Sequence, residues 1–225
     1  MLKTFNPDGE RDLVFIPVGV NYDRVLEDRT LLLKSDAARP RRGFSHAVAV
    51  VLGFAGRQLR HMALGRWYRF GYACVNFGRP VSMRDYVQRQ GFDFRTLDDG
   101  ERHQRVAALG AALMDAIGRI TPVLPVALVA TVLLRHPENP VSELDLKSAI
   151  HTLMLKLECS GAHIYIPRAD HDYAITVGLR MLTLRRVVAA RDGLYTVAHG
   201  QLDLLGYYAN SIAHLVERAD VAMSS

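Results

Sequence analysis

The sequence predicts an α/β fold: part of an α/β domain over residues 1–120, followed by a mainly helical, winged-helix-like region over residues 121–225. Three observations predict it. Leu13 to Val20 reads LVFIPVGV, a nearly unbroken apolar run closed by the polar Asn21-Tyr22-Asp23-Arg24. That is the pattern of a parallel strand buried on both faces. Tyr72 to Phe77 (YACVNF) reads as a second such strand, with helical patterning between and after the two. Beyond Thr121, three helices and then a hairpin follow one another, the order of a winged-helix module.

Each element has its own local reason. After the first strand, Asp23 to Arg42 is a charged connection, closed by Arg39-Pro40-Arg41-Arg42-Gly43. A helix is expected from Ser45 to about Ala63, with apolar residues at Val48, Val51, Leu52, Leu59 and Met62. The second strand ends at the Gly78-Arg79-Pro80 turn, and Ser82-Met83-Arg84-Asp85 has the S-x-x-D form that opens a helix. Gly91 to Leu97 is irregular, and Asp98 to Ile120 is amphipathic at helical period. Thr121-Pro122 reads as an N-cap with proline in the first helical position, starting a helix to about Leu134. Ser142-Glu143-Leu144-Asp145 caps a helix to about Glu158, and a third helix is expected over Ile175 to Ala189. Arg191-Asp192-Gly193 sits between Leu184–Val188 and Leu194–Val197 and is placed to close a small hairpin, and a single helix is expected from Leu202 to Ala219.

Two strands cannot make a parallel sheet that covers itself, because such a strand needs neighbours on either side and helices above and below. The chain therefore reads as the back portion of a larger domain, whose first part is expected upstream of Met1. Its composition is globular, with 49 % hydrophobic and 23 % charged residues. Cys74 and Cys159 make no metal-ligand pair and no disulfide framework, which suits a reducing compartment. The longest later apolar stretch, Thr121 to Leu134, falls short of the roughly 20 residues a membrane helix needs.

Charge is unevenly placed. From Ala37 to Arg84 there is no acidic residue and there are nine arginines, against 19 basic and 23 acidic residues elsewhere. Phe44, Phe54, Trp67, Tyr68 and Phe70 are interleaved with them. Such a patch suits anionic partners, and Arg57, Arg60, Arg66 and Trp67 are the candidate anion or membrane-surface contacts; a solvated face is the plainer alternative. From Thr121 to Val197, basic and acidic residues nearly balance, so no nucleic-acid partner is expected.

No catalytic constellation is present: the nine histidines are scattered, and neither a G-x-S-x-G elbow, a phosphate-binding loop nor a dinucleotide fingerprint occurs. No catalytic residue, metal ligand or cofactor is assigned. Resemblance adds what spacing lacks. The runs VFIPVGVNYDRVLEDRTLLLK (Val14–Lys34), VNFGRPVSMRDYV (Val75–Val87) and LLGYYANSIAHL (Leu204–Leu215) resemble, in order, segments of the glycerol-3-phosphate acyltransferase family, which is related to the dihydroxyacetone-phosphate acyltransferases. The resemblance implies acyl transfer from an acyl carrier protein or coenzyme A thioester to the 1-hydroxyl of glycerol 3-phosphate, peripherally at the cytoplasmic face of a membrane. It also implies a substrate-pocket role for Phe15, Ile16, Pro17 and Val18. In the family the histidine of an H-x-x-x-x-D motif is the general base, and an E-G-[GT]-x-S-R motif helps to bind phosphate. Neither is here: no histidine has an aspartate five residues on, His199 reaching Asp203 one short and His214 Asp220 one beyond. The chain is expected to be the C-terminal portion of such an enzyme and inactive alone. The alternative is a winged-helix binding module without catalysis.

Overall fold

The computed structural model describes residues 4–25, 28 and 71–224. The expected helix from Ser45 to Ala63, most of the Asp23–Arg42 connection, and Arg57, Arg60, Arg66 and Trp67 lie outside the described residues.

The first apolar run forms two strands, β1 (Val14–Phe15) and β2 (Val18–Tyr22), interrupted at Ile16-Pro17. Proline has no N–H to give to a ladder, so the interruption falls where the chain requires it. β2 pairs with β3 (Ala73–Phe77), and β1 with β4 (Val81–Ser82). Both pairings are antiparallel, which corrects the parallel strand expected from sequence. Two residues on one strand oppose Gly78-Arg79-Pro80 on the other, a bulge closed by Gly78 N–H donating to the Pro17 carbonyl at 2.9 Å. The two ladders therefore make one long ribbon. Nor is β2 buried on both faces: Gly19 and Asn21 are buried while Val18, Val20 and Tyr22 are exposed. The near-continuous apolar run implies double burial, but the small and polar residues at alternate positions mark one side as different.

Ser82 caps α1 (Met83–Gln90) as its S-x-x-D spacing predicts, its hydroxyl accepting from Asp85 N–H at 3.1 Å. α1 ends at Gly91 in the left-handed region. Asp98 caps α2 (Asp99–Arg119). A small core of Met83, Val87, Phe94 and Leu109, joined by Phe5, Leu13 and Phe15, holds the ribbon end, α1 and α2 together.

The helical region is built around α3 (Pro125–Arg135), most of whose residues are buried. Around it pack α4 (Glu143–Cys159), α5 (His171–Leu184) and α6 (Leu202–Asn210). β5 (Val141–Ser142), β6 (Val188–Arg191) and β7 (Leu194–Val197) form an antiparallel sheet in the order β5-β7-β6. The expected hairpin is present, with Asp192 and Gly193 both at positive φ, as a tight two-residue turn requires. α7 (Ala213–Ser224) follows. Several boundaries differ from expectation. α5 ends at Leu184 rather than running to Ala189, and the first strand of the hairpin is Val188–Arg191 rather than Leu184–Val188, because Val188 to Arg191 pair with Leu194 to Val197 across the two-residue turn. α3 starts at Pro125 rather than at Thr121-Pro122, because Val123 is held extended against Ile164. α5 starts at His171, four residues before the expected Ile175, because Asp170 caps it, accepting from Tyr173 N–H at 2.9 Å. The last helix is two, split at Ser211-Ile212.

Candidate functional site

The inner face of the ribbon meets the helical region through small and polar side chains. Gly19 lies so close to the end of α2 that a Cβ there would sit 2.8 Å from the Ile120 carbonyl oxygen. Flanking this contact, Asn76 donates to that same carbonyl at 2.9 Å, and Asn21 donates to the Pro122 carbonyl at 2.8 Å. Asn21 also donates to the Ser211 hydroxyl at 3.3 Å. These carbonyls belong to the irregular link between α2 and α3, where the chain has no helical partner for them.

Asp23 continues the seam. It is buried, and its carboxylate accepts from Val126 N–H at 3.0 Å and from Tyr72 N–H at 3.2 Å. α3 has no side-chain cap of its own, so Asp23 supplies one from 103 residues away, where the positive end of the helix favours it. Burial nevertheless pushes the Asp23 carboxyl up to about 6, against the opposing pull of the two amides.

At the far end of the seam, Asp28 is buried beneath α6. It accepts from the Tyr208 hydroxyl and is paired with Arg185 at 2.5 Å, while Arg185 also donates to the Tyr208 oxygen. Burial, and then the hydrogen bond to Asp28, push the Tyr208 hydroxyl up to about 12. Arg24 lies alongside, lowered from its ordinary value by burial and then by the neighbouring Arg185. The charge-assisted bonds hold this cluster together in a setting where an unpaired charge would be strongly destabilising.

The four residues assigned to a substrate pocket splay apart. Phe15 turns into the small core and Pro17 is buried beside Gly78, whereas Ile16 and Val18 face outward. Of the nine clustered arginines, Arg79 and Arg84 are among the described residues; Arg84 ties down the N-terminal segment by donating to the Pro7 and Gly9 carbonyls. His214 is held against the Gly118 carbonyl at 2.9 Å. A cleft of about 650 Å³ runs beside β3, lined by Cys74, Asn76, Glu158, His163 and Tyr165. Burial and then Asp23 raise the Cys74 thiol, which makes it a poor nucleophile. Among the described residues there is no cluster of three His, Cys, Asp or Glu side chains able to hold a metal, and no helix long and apolar enough to cross a membrane.

In the sequence Asn21 and Asp23 read only as polar residues closing the first strand, and Asp28, Tyr208 and Ser211 carry no role, although all five stand inside the resembling runs. Their meaning lies in pairs more than 100 residues apart in sequence. Arg185 carries no local signal at all.

The chain is similar to known proteins over nearly all its length. A family model described as the glycerol-3-phosphate acyltransferase C-terminal region matches residues 59–224. The glycerol-3-phosphate acyltransferase of Pseudomonas putida is 26 % identical over 225 aligned positions, covering 95 % of this chain and 26 % of the relative. Those of Pseudomonas fluorescens and Pseudomonas aeruginosa are 24 % and 25 % identical, each with 95 % of this chain covered and 25 % of the relative. The chain thus spans about a quarter of the length of the curated relatives it matches. It is a member of the glycerol-3-phosphate acyltransferase family, over that family's C-terminal region.

Proposed function

We propose that this chain supplies the non-catalytic C-terminal portion of a glycerol-3-phosphate 1-O-acyltransferase. It serves transfer of an acyl group from acyl carrier protein or coenzyme A to glycerol 3-phosphate, in phospholipid synthesis, together with a catalytic portion carrying H-x-x-x-x-D and E-G-[GT]-x-S-R. The single observation that carries this reading is the family match over residues 59–224 in a chain whose own histidines never take the H-x-x-x-x-D spacing. The seam from Gly19 to Asp28 supports it by anchoring the Phe15–Val18 segment on the helical region. In this reading Ile16 and Val18, which face outward, contribute to the substrate pocket once the catalytic portion is in place.

The helical region is proposed to be winged-helix-like. Supporting this are the element order α3-β5-α4-α5-β6-β7 and the strand order β5-β7-β6. A DNA-reading role is not favoured, since the exposed face of α5 mixes Asp172, Thr176 and Arg180 rather than presenting a basic stripe. The arginine-rich stretch, with Arg57, Arg60, Arg66 and Trp67, is proposed to meet an anionic carrier or a membrane surface at its cytoplasmic face. Replacing those three arginines together with glutamine is expected to weaken vesicle or carrier binding.

The test is acyl transfer to glycerol 3-phosphate with both donors. The expected result is no turnover by the chain alone, and turnover when the remaining three quarters of the Pseudomonas putida relative is added in trans. Turnover by the chain alone would overturn the reading.

A further inference from the structure

The ribbon is mounted with its apolar side outward. Val18, Val20 and Tyr22 of β2 stand opposite Phe77, Val75 and Ala73 of β3 in register, three cross-strand pairs on one face. Val14 of β1 and Ile16 of the interruption after it are exposed as well. The large side chains of this face are between 38 and 73 % exposed, Phe77 the most. The opposite face, bearing Gly19, Asn21, Cys74 and Asn76, is the one turned to the body of the protein.

This orientation is built in rather than incidental. Side chains alternate along a strand, so a slip of one residue would bring the valines inward and turn Asn21 out. The clasp forbids that slip, because the close approach at Gly19, the two asparagine bonds and the Asp23 cap all require the present register. A contiguous apolar face of this kind marks an interaction surface. The edges narrow the choice of partner. Among the described residues no further strand pairs with the outer side of β2 or β3, and a cleft follows the β3 edge. Lipid could cover the valines but could not continue a backbone ladder; a strand-bearing polypeptide does both. The relatives supply the candidate, since about three quarters of each lies outside the region this chain matches.

Resting on the function proposed above, we infer that the outward face of the ribbon, with the edges that no described strand pairs, is the surface on which the catalytic portion of the acyltransferase docks, adding strands at the edge and covering Val18, Val20, Val75 and Phe77.

The experiment immobilises the remaining three quarters of the Pseudomonas putida relative and measures binding of the full chain. The wild type is compared with a V75K/F77K variant and with M114K, a control at an exposed apolar residue of α2. The expected result is a Kd raised at least tenfold by V75K/F77K and unchanged by M114K. Because Val75 and Phe77 are exposed, the variant should keep the wild-type circular dichroism and melting temperature. If it unfolds instead, the chain already covers its own ribbon and the proposal is overturned. Equal binding by wild type and V75K/F77K overturns the surface while leaving the functional reading intact. No binding by the wild type overturns that reading itself. A wild-type homodimer in light scattering that V75K/F77K dissolves, or phosphatidylglycerol-vesicle binding that it abolishes, would give the face to a second copy or to lipid and overturn the proposal.

Discussion

Asp23 combines a helix cap with a buried charge, and the two roles pull its proton affinity in opposite directions. Desolvation dominates and carries the carboxyl from the ordinary 3.8 to about 6. Between those values the native state binds more protons than the unfolded chain, so this group's contribution to stability is full below about pH 4 and is lost as pH rises towards 6. Asp23→Asn should flatten that fall, by up to about 3 kcal/mol for a shift of this size. Urea unfolding of both proteins at pH 4.5 and 7 checks it; parallel profiles would refute the assignment. Tyr208→Phe leaves Asp28 and Arg185 without the hydroxyl that joins them, and should cost about 1–3 kcal/mol. Asp28→Ala should cost more, since it removes the buried carboxylate that both Arg185 and the Tyr208 hydroxyl bond.

Helices with local signals and helices with remote ones behave differently. α1, α2, α4 and α5 each carry their own capping residue, Ser82, Asp98, Ser142 and Asp170. α3 does not, and its start is decided by Asp23 and by the extended pairing of Val123 with Ile164. The break between α6 and α7 falls at Ser211, whose hydroxyl donates to the Tyr208 carbonyl at 2.8 Å while accepting from Asn21. Such a bond competes with the helical ladder. For the ribbon, the decisive contact is at Gly19. Gly19→Ala should drive it off the Ile120 carbonyl at a cost of about 1–3 kcal/mol. Hydrogen exchange should show lost protection in β2 and β3 with α3 and α5 unchanged; uniform loss across all four would mean that the ribbon and helices do not unfold separately.

At the scale of the whole molecule, the buried residues divide unequally. Among the described residues, the larger core runs from Val123 to Ala219 through α3 to α7, while the smaller rests on four buried residues, Met83, Val87, Phe94 and Leu109, around α1 and α2. The ribbon adds little burial of its own, one face being bare. Stability should therefore be graded along the chain. Limited proteolysis of the isolated chain is expected to leave Thr121–Ala219 longer-lived than residues 1–120. Equal survival would mean that the ribbon and the small core are stabilised by something other than this burial. Addition of the partner polypeptide should narrow the difference.

By itself the sequence determined the elements whose cause is local: the S-x-x-D caps at Ser82 and Ser142, the Asp192-Gly193 turn, the apolar α3, and extended chain at Leu13–Val20 and Tyr72–Phe77, the first of these broken in the structure at Ile16-Pro17. It also carried the family resemblance, in runs such as FIPVGVNYD. Only the tertiary structure decided the antiparallel pairing, which face of the ribbon turns inward, and where α3 begins. Those outcomes depend on Gly19 meeting Ile120, Asn21 meeting Pro122 and Ser211, Asp23 meeting Val126, and Asp28 meeting Tyr208. The two members of each pair lie some 100 to 190 residues apart, beyond the reach of any local period or capping rule. An unpaired asparagine or aspartate in a sequence looks like a turn residue, and becomes a clasp only when folding buries it against a backbone that needs a partner.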